Sequence, residues 1–158
     1  MPDRPSDLPR AARALALAAR ALERAAAARD LTLAQFRVLA LIAAGDERSS
    51  LLAERLAVAK PTITAVVDGL VERGFVAREA VAGDRRSIRV ALTPSGVVAL
   101  RAAEEEMGET LGRIFEHARE RDALLAALLD LDDALAKRMH ERLGHAPAPT
   151  VPGNGVTA

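Results

Sequence analysis

Hydroxyl side chains and a few cations recur in the middle of the chain, where their types and spacing suit contact with double-stranded DNA. Lys60, Thr62 and Thr64 occupy alternate positions, and Arg85 and Arg86 are adjacent. Hydroxyl and ammonium groups donate hydrogen bonds to base edges and phosphates, whereas guanidinium groups fit a narrow, electronegative minor groove. This chemistry requires a helix start that presents Lys60 and the two threonines, and a loop that presents the two arginines.

The histidines and the acidic run do not predict a metal or catalytic site. His140 and His145 are five residues apart, and Gly144 ends the predicted helix between them, so the two imidazoles do not converge. The three glutamates at 104–106 fit a solvated helix face. No serine or threonine lies in a nucleophile elbow or a glycine-rich phosphate loop. We therefore predict no enzyme activity, no metal and no cofactor.

Length and composition limit the class of protein further. The 158 residues suffice for one domain, or for a small domain with a helical extension. The absence of cysteine excludes disulfides and thiolate metal ligands. No apolar run reaches the roughly 18 residues that a membrane span needs, and the N-terminal residues carry prolines and acids instead of a signal peptide. These features predict a cytoplasmic protein without a membrane partner.

The net charge of zero does not exclude a nucleic-acid partner, because the charge is unevenly distributed. Residues 45–93 hold eight basic and seven acidic side chains, whereas residues 95–144 hold seven basic and eleven acidic ones. The C-terminal third is acidic, and the part that carries the hydroxyls and cations is slightly basic. The average charge therefore excludes only a polycation.

Three long helices are predicted at the two ends of the chain. Apolar residues recur at helical spacing over 8–29, 95–119 and 122–143, and many of them are alanine. Such thin apolar stripes need a second surface, so we expect these helices to pack against a partner subunit. The Pro- and Gly-rich C-terminal segment and the polar N-terminal segment are expected to be disordered.

Two shorter helices precede the hydroxyl cluster in the predicted order. Thr32 stands three residues before Gln35, which is the spacing of a capping box at a helix start. A short helix follows over 51–56, and Ser49 or Ser50 is expected to cap it. The two serines could also contact phosphate.

A helix and a hairpin then position the two groups of polar side chains. Pro61 favours a helix start, and the pattern predicts a helix over 61–73. The hydrophobic period then changes to two, which predicts strands over 75–81 and 87–92. The intervening residues 82–86 form the expected polar tip of the hairpin.

These elements predict a mainly α fold with a small β-hairpin wing, that is, a winged helix-turn-helix with a helical dimerisation stalk. The predicted divisions are tails at 1–7 and 145–158, a dimerisation region at 8–30 and 95–144, and a DNA-binding domain at 31–94. The predicted recognition-helix contacts are Lys60, Pro61, Thr62, Thr64 and Ala65, and the predicted wing contacts are Asp84, Arg85 and Arg86. Candidate phosphate contacts are Ser49, Ser50 and Arg73, and candidate effector-pocket residues are Phe36 and Phe115.

Several of these residues have an alternative structural reading. Asp84 could brace an arginine or cap the turn. Arg73 could be an ordinary surface arginine, and Phe36 and Phe115 could be core residues.

The stretch LAERLAVAKPTITAVVDGLVERGFVAREAVAGDRRSIRVALTPSG resembles the MarR (multiple antibiotic resistance regulator) family of transcription factors. The family wing motif falls on Asp84 and Arg86, and its LTxxG motif ends at Gly96. The resemblance implies a homodimer that binds a pseudo-palindromic operator, usually as a repressor that a small aromatic or anionic ligand releases. The sequence departs from the family at Ala65, where arginine is common, and at Gly69, where arginine or lysine is common.

Three functions from different classes follow from these observations. The first is a ligand-responsive transcriptional regulator, and the second is a constitutive or architectural DNA-binding protein without an effector. The third is a helical interaction protein whose Arg- and Ala-rich helix at 10–29 binds a partner or an anionic surface. An absence of salt-dependent binding to specific and scrambled duplexes would exclude both DNA-binding functions and leave only the third.

Overall fold

The computed structural model describes residues 7–45, 48–81 and 84–143, with the backbone alone at 81, 84–88, 139, 140, 142 and 143. Within these residues it contains six helices and one hairpin. In chain order they are α1 (Leu8–Ala27), α2 (Leu33–Ala43), α3 (Ser49–Leu56), α4 (Lys60–Glu72), β1 (Val76–Val81), β2 (Asp84–Leu92), α5 (Pro94–Phe115) and α6 (Arg121–Leu143). The predicted mainly α fold with a β-hairpin wing is confirmed.

The chain divides into two compact units, the first ending at His117 and the second beginning at Ala118. In the first unit α1 packs against α5, and α2 contacts α4, α5 and β2. Its core consists of aliphatic side chains from all of these elements, of which the largest fully buried are Leu31, Leu39, Leu52, Ile63, Leu70, Val38, Val67 and Val90. The second unit contains α6. The predicted tails lie outside the described residues, except for Asp7, which immediately precedes α1.

The predicted capping box at the start of α2 is confirmed. Thr32 Oγ1 accepts a hydrogen bond from the Gln35 backbone N–H at 3.1 Å, and Gln35 Oε1 accepts one from the Thr32 N–H at 3.0 Å. Two backbone donors that the helix cannot satisfy are thereby paired. The start of α2 is thus determined by two residues that are close in sequence.

The predicted serine cap of α3 is wrong. Arg48 occupies the N-cap position with an extended backbone, and its side chain makes no capping hydrogen bond. Ser49 and Ser50 are instead the first two residues of the helix, the former half-buried and the latter exposed. The helix starts earlier than its hydrophobic pattern indicates, because that pattern begins only at Leu51.

The second strand begins three residues earlier than predicted, and the first begins one residue later. The antiparallel register runs from Val76 opposite Leu92 to Val81 opposite Asp84, with an irregularity between Ala80 and Val81. Asp84, Arg85 and Arg86 therefore belong to β2, not to a loop. Backbone pairing does not depend on an apolar side chain at each position, so polar residues can extend a strand.

The predicted long helix that follows the hairpin ends four residues early. Thr93 caps α5, since its Oγ1 accepts from the Gly96 N–H at 3.0 Å. The helix ends at Phe115 instead of Arg119, because the chain tightens there and the His117 N–H donates to the Ile114 carbonyl at 3.2 Å. Likewise α1 ends at Ala27, two residues before the predicted end.

Candidate nucleic-acid interface

The helix α4 presents two chemically different faces. The residues predicted to contact DNA form its exposed N-terminal end, namely Lys60, Pro61, Thr62, Thr64 and Ala65. The opposite side is anchored in the core by Ile63, Val67 and Leu70, which are at most 2% exposed. The structure therefore brings all five predicted recognition-helix residues together on a surface that the core holds in place.

The turn between α3 and α4 has the tight geometry of a helix-turn-helix. Ala57 adopts the left-handed conformation with φ of 52°, and the Val58 N–H donates to the Ala53 carbonyl at 3.1 Å. Left-handed backbone is unusual for a residue with a Cβ, and a helix end of this kind commonly uses it. Three residues thus connect α3 to the exposed start of α4.

The two threonines at the start of α4 differ in their hydrogen bonding. Thr64 Oγ1 donates to the Lys60 carbonyl at 3.0 Å, so its proton is used within the helix while its lone pairs face solvent. Thr62 is exposed and lines a small cavity of about 70 Å³ together with Val58 and Val66. Among these two hydroxyls, that of Thr62 is the better placed to donate to a base or a phosphate.

Arg37 is a candidate contact that sequence reasoning missed. It lies on α2, is exposed, and lines the same 70 Å³ cavity as Thr62 and Val58. In the described part of the chain, no ion pair or hydrogen bond of its side chain is found. The one feature of the sequence that could have pointed to Arg37 is that it is the single basic residue between 31 and 44. Only the packing of α2 on α4 brings it beside the start of α4.

Ion pairs engage two arginines in the middle of the hairpin. Arg78 on β1 pairs with Asp68 on α4, and Arg89 pairs with Glu79 across the two strands at 2.8 Å. The first pair ties the hairpin to α4, the second joins its two strands, and each offsets one positive charge. The three predicted wing residues are the first three of β2, and only their backbone is described.

The remaining predicted site residues lie elsewhere in the first unit. Phe36 is half-buried against the core, and Phe115 is 7% exposed. Arg73, a candidate phosphate contact, donates through Nη1 to the Asp30 carbonyl at 2.6 Å, and its guanidinium lies 4.6 Å from the centre of the Phe75 ring. The structure thus gives Arg73 two intramolecular partners that its sequence position does not suggest.

An open groove lies beside the C-terminal half of α1. It encloses about 430 Å³ and is lined by Arg20, Glu23, Arg24, Ala27, Asp30, Leu31 and Thr32. This volume falls in the range of small-molecule sites, which is roughly 300–1,000 Å³. Its lining contains two arginines, two carboxylates and the apolar side chains of Ala27 and Leu31, and Arg20 pairs with Glu23 within it.

Two kinds of site are absent from the described residues. No three His, Cys, Asp or Glu side chains of residues 7–45, 48–81 and 84–143 are grouped so that they could hold a metal ion. In the same part of the chain, no helix combines the length and apolar character that crossing a membrane requires.

The core, the tight turn, the exposed start of α4 and the hairpin together define a winged helix-turn-helix protein of the DNA-binding class. A family model described as "MarR family" matches residues 29–87. The HTH-type transcriptional repressor YetL of Bacillus subtilis strain 168 is 34% identical over 115 residues, which span 70% of this chain and 69% of the relative. The chain belongs to the MarR family and is a transcriptional regulator.

Solved structures agree with this assignment. CouR from Rhodococcus jostii RHA1, solved with p-coumaroyl-CoA bound, superposes with a TM-score of 0.65 at 25% identity, covering 78% of this chain and 87% of CouR. The apo form of wild-type MarR from E. coli gives a TM-score of 0.65 at 25% identity, covering 75% of this chain and 93% of MarR. Both likenesses include most of the described residues and support the winged-helix architecture.

Proposed function

We propose that this protein acts as a homodimeric repressor that binds a pseudo-palindromic operator with α4 and the hairpin, and that a small molecule releases it. The proposal depends on one observation: the start of α4 is polar and exposed, and the opposite face of the same helix is buried and anchors it in the core. A rigid helix start of this kind fits the major groove of DNA. The proposed function includes a cytoplasmic location, since binding to an operator requires access to DNA.

Base recognition is assigned to the first turns of α4. Lys60 and Thr62 supply donors to base edges or phosphates, and the N-terminal helix dipole favours phosphate beside Pro61. Ala65 offers only a methyl group, which suits contact with the methyl group of thymine. Thr64 accepts hydrogen bonds through the lone pairs that its bond to Lys60 leaves available.

The wing and the neighbouring helices supply the remaining contacts in this proposal. Arg85 and Arg86 enter the adjacent minor groove, and Asp84 is the third wing contact. Ser49, Ser50 and Arg37 contact the phosphate backbone. Because basic and acidic residues nearly balance in the winged domain, affinity for unrelated DNA is expected to be modest.

The proposed DNA binding is tested by fluorescence anisotropy. A labelled duplex obtained by selection from a random library is titrated with the protein, beside a scrambled duplex, at several salt concentrations. We expect the selected duplex to bind at least about 1,000-fold more tightly, with affinity falling as salt rises. An absence of salt-dependent binding to both duplexes would exclude every DNA-binding function proposed for this chain.

Thr62→Ala is expected to change sequence preference without changing the salt dependence. The hydroxyl contributes to base recognition, so its loss should reduce the difference between the selected and scrambled duplexes by about tenfold, or about 1.4 kcal/mol. The slope of log affinity against log salt should remain unaltered, because no charge is removed. An unchanged preference together with a changed slope would contradict the role of Thr62.

Arg37→Ala is expected to have the opposite signature. Loss of one phosphate contact should weaken binding to both duplexes alike and lower the salt slope by about one. The matched control is Arg113→Ala, which removes the same charge near the far end of α5, where Arg113 faces Glu106 and Glu109. If both variants changed the slope equally, a general charge effect would replace the specific contact.

Exposed apolar side chains support the proposed homodimer. On α1, Leu8, Leu15 and Leu17 are 48–74% exposed, and α6 exposes Leu124, Leu125, Leu129, Leu131 and Leu135. Five leucines on one helix are unlike a solvated surface, and apolar faces of this kind mark protein interfaces. A two-fold dimer would place the two α4 helices about one DNA turn, or roughly 34 Å, apart.

Release by an effector is the second part of the proposal. CouR provides the precedent of a related fold that binds an aromatic thioester, and the 430 Å³ groove beside α1 offers a place for a small ligand. The two predicted pocket residues, Phe36 and Phe115, do not line this groove. A ligand that prefers the unbound conformation would lower operator affinity in proportion to that preference.

The alternative is a constitutive DNA-binding protein without an effector. Titration of the preformed complex with p-coumarate and with p-coumaroyl-CoA distinguishes the two. Release at micromolar ligand with a saturable binding curve supports effector control. Retention of the complex with each of these probes, and with a wider panel of aromatic acids, would favour the constitutive protein.

A further inference from the structure

The C-terminal end of α4 is attached to the end of α1 by one side chain. Arg73 immediately follows α4, and its Nη1 donates to the backbone carbonyl of Asp30 at 2.6 Å. Its guanidinium also lies 4.6 Å from the centre of the Phe75 ring, within the range of a cation–π contact. These two contacts hold the guanidinium in a defined orientation, although the residue as a whole is exposed.

The carbonyl that Arg73 binds belongs to a well-defined helix end. Asp30 has φ of 57°, and the Leu31 N–H donates to the Ala26 carbonyl at 3.1 Å. This is the hydrogen-bonding pattern of a Schellman motif, in which a left-handed residue terminates the helix. Leu31 is 1% exposed and anchors the turn in the core. The Asp30 carbonyl is therefore a fixed acceptor, and the guanidinium lies at the negative end of α1.

The segment that leaves α4 is also attached to the start of α5. The Gly74 carbonyl accepts from Thr93 Oγ1 at 2.6 Å and from Ser95 Oγ at 2.8 Å. The Thr93 N–H donates to the Phe75 carbonyl at 3.1 Å. The end of α4 thus lies between α1 on one side and α5 on the other, and both of these helices belong to the predicted stalk.

We propose that Arg73 is a positioning residue for operator binding, which fixes the angle of α4 to α1 through the Asp30 carbonyl. The inference rests on the proposed function, since it requires α4 to read DNA. Because α4 is one continuous helix of 13 residues, a small rotation at its C-terminal end displaces the DNA-facing start. The contact with Asp30 limits this rotation and thereby sets the distance between the two α4 helices of the dimer. The half-site spacing that the protein prefers then depends on Arg73, a residue that does not touch DNA.

This role differs measurably from a phosphate contact, which the sequence also allows for Arg73. A phosphate contact contributes to the salt slope and is largely retained by lysine. A positioning role depends on the planar fork and its stacking on Phe75, which lysine does not reproduce. We therefore compare Arg73→Ala, Arg73→Lys and the control Arg101→Ala, which removes an exposed charge from α5.

The expected result is that both Arg73 variants bind the operator about tenfold more weakly, with the salt slope unchanged. Repeated selection should yield a broader range of half-site spacings for Arg73→Ala than for the native protein. The Arg101→Ala variant should behave like the native protein. A slope lowered by about one in Arg73→Ala, with recovery in Arg73→Lys, would overturn the proposal in favour of a phosphate contact.

Hydrogen exchange of the free protein tests the contact without DNA. In Arg73→Ala, peptides covering residues 28–34 and 69–76 should exchange faster, while the middle of α5 keeps its protection. Unchanged exchange of 28–34 would overturn the proposed attachment even if operator affinity fell. If the native protein binds no duplex, the proposed function fails, and the exchange result still reports on the attachment.

Discussion

Gly96→Ala is expected to lower the free energy of unfolding by about 3 kcal/mol, because α5 has no space for a Cβ at that position. A Cβ there would lie 2.0 Å from the Phe75 carbonyl oxygen and 2.9 Å from its carbonyl carbon. The oxygen accepts from the Thr93 N–H at 3.1 Å, so it cannot move away without losing that bond. The added methyl group would therefore separate the start of α5 from the end of α4.

Urea unfolding measured by circular dichroism at a fixed protein concentration tests this prediction. Gly108→Ala is the matched control, since it lies on the same helix and a Cβ there has no heavy atom within 4 Å. The control should be unchanged or stabilised by up to about 1 kcal/mol, because alanine favours helix over glycine. Equal unfolding free energies for the two variants would refute the close approach at Gly96.

The double variant Leu131→Glu with Leu135→Glu is expected to produce a monomer and to weaken operator binding by at least about 100-fold. The two leucines are four residues apart on one face of α6, and they are 37% and 52% exposed. In a dimer, two carboxylates on that face would lose their water without gaining a hydrogen-bond or ion-pair partner, and this cost opposes association. A monomer binds a single half-site and therefore loses the additional affinity that a dimer gains by binding both half-sites at once.

Sedimentation velocity gives the oligomeric state of the variant, and anisotropy gives its operator affinity. Ala126→Glu is the control, because it adds a carboxylate to the opposite side of the same helix, where the residue is exposed. The control should remain dimeric, and helicity should be similar in both proteins. A double variant that stays dimeric with native operator affinity would exclude this face of α6 from the interface.

Many of the local elements could be predicted from residues close together in sequence. The box of Thr32 and Gln35 locates the start of α2 because both hydrogen bonds span only three residues. Pro61 and the helical period locate α4, and the change of period locates the hairpin. Boundaries were less accurate, as at Ser49 and Phe115, because backbone hydrogen bonding extends or ends an element independently of its hydrophobic pattern.

The residues of the candidate site were predictable in part for the same reason. Lys60, Thr62 and Thr64 follow from the register of one helix, and all are exposed as expected. Arg37 could not be found in this way, because its position beside Thr62 depends on how α2 packs on α4. Arg73 could be read only as a surface or phosphate-contacting arginine, since its acceptor lies 43 residues away in sequence.

The order of amino acids is enough to predict which segments form helices and strands and which surface of α4 carries polar groups, because periodicity and capping act over a few residues. The contacts between these elements follow from the tertiary structure. It brings the Phe75 carbonyl against Gly96, turns Arg73 toward Asp30 and places Arg37 near the start of α4. Such contacts join segments that are distant along the chain, and their geometry depends on the packing of the whole core.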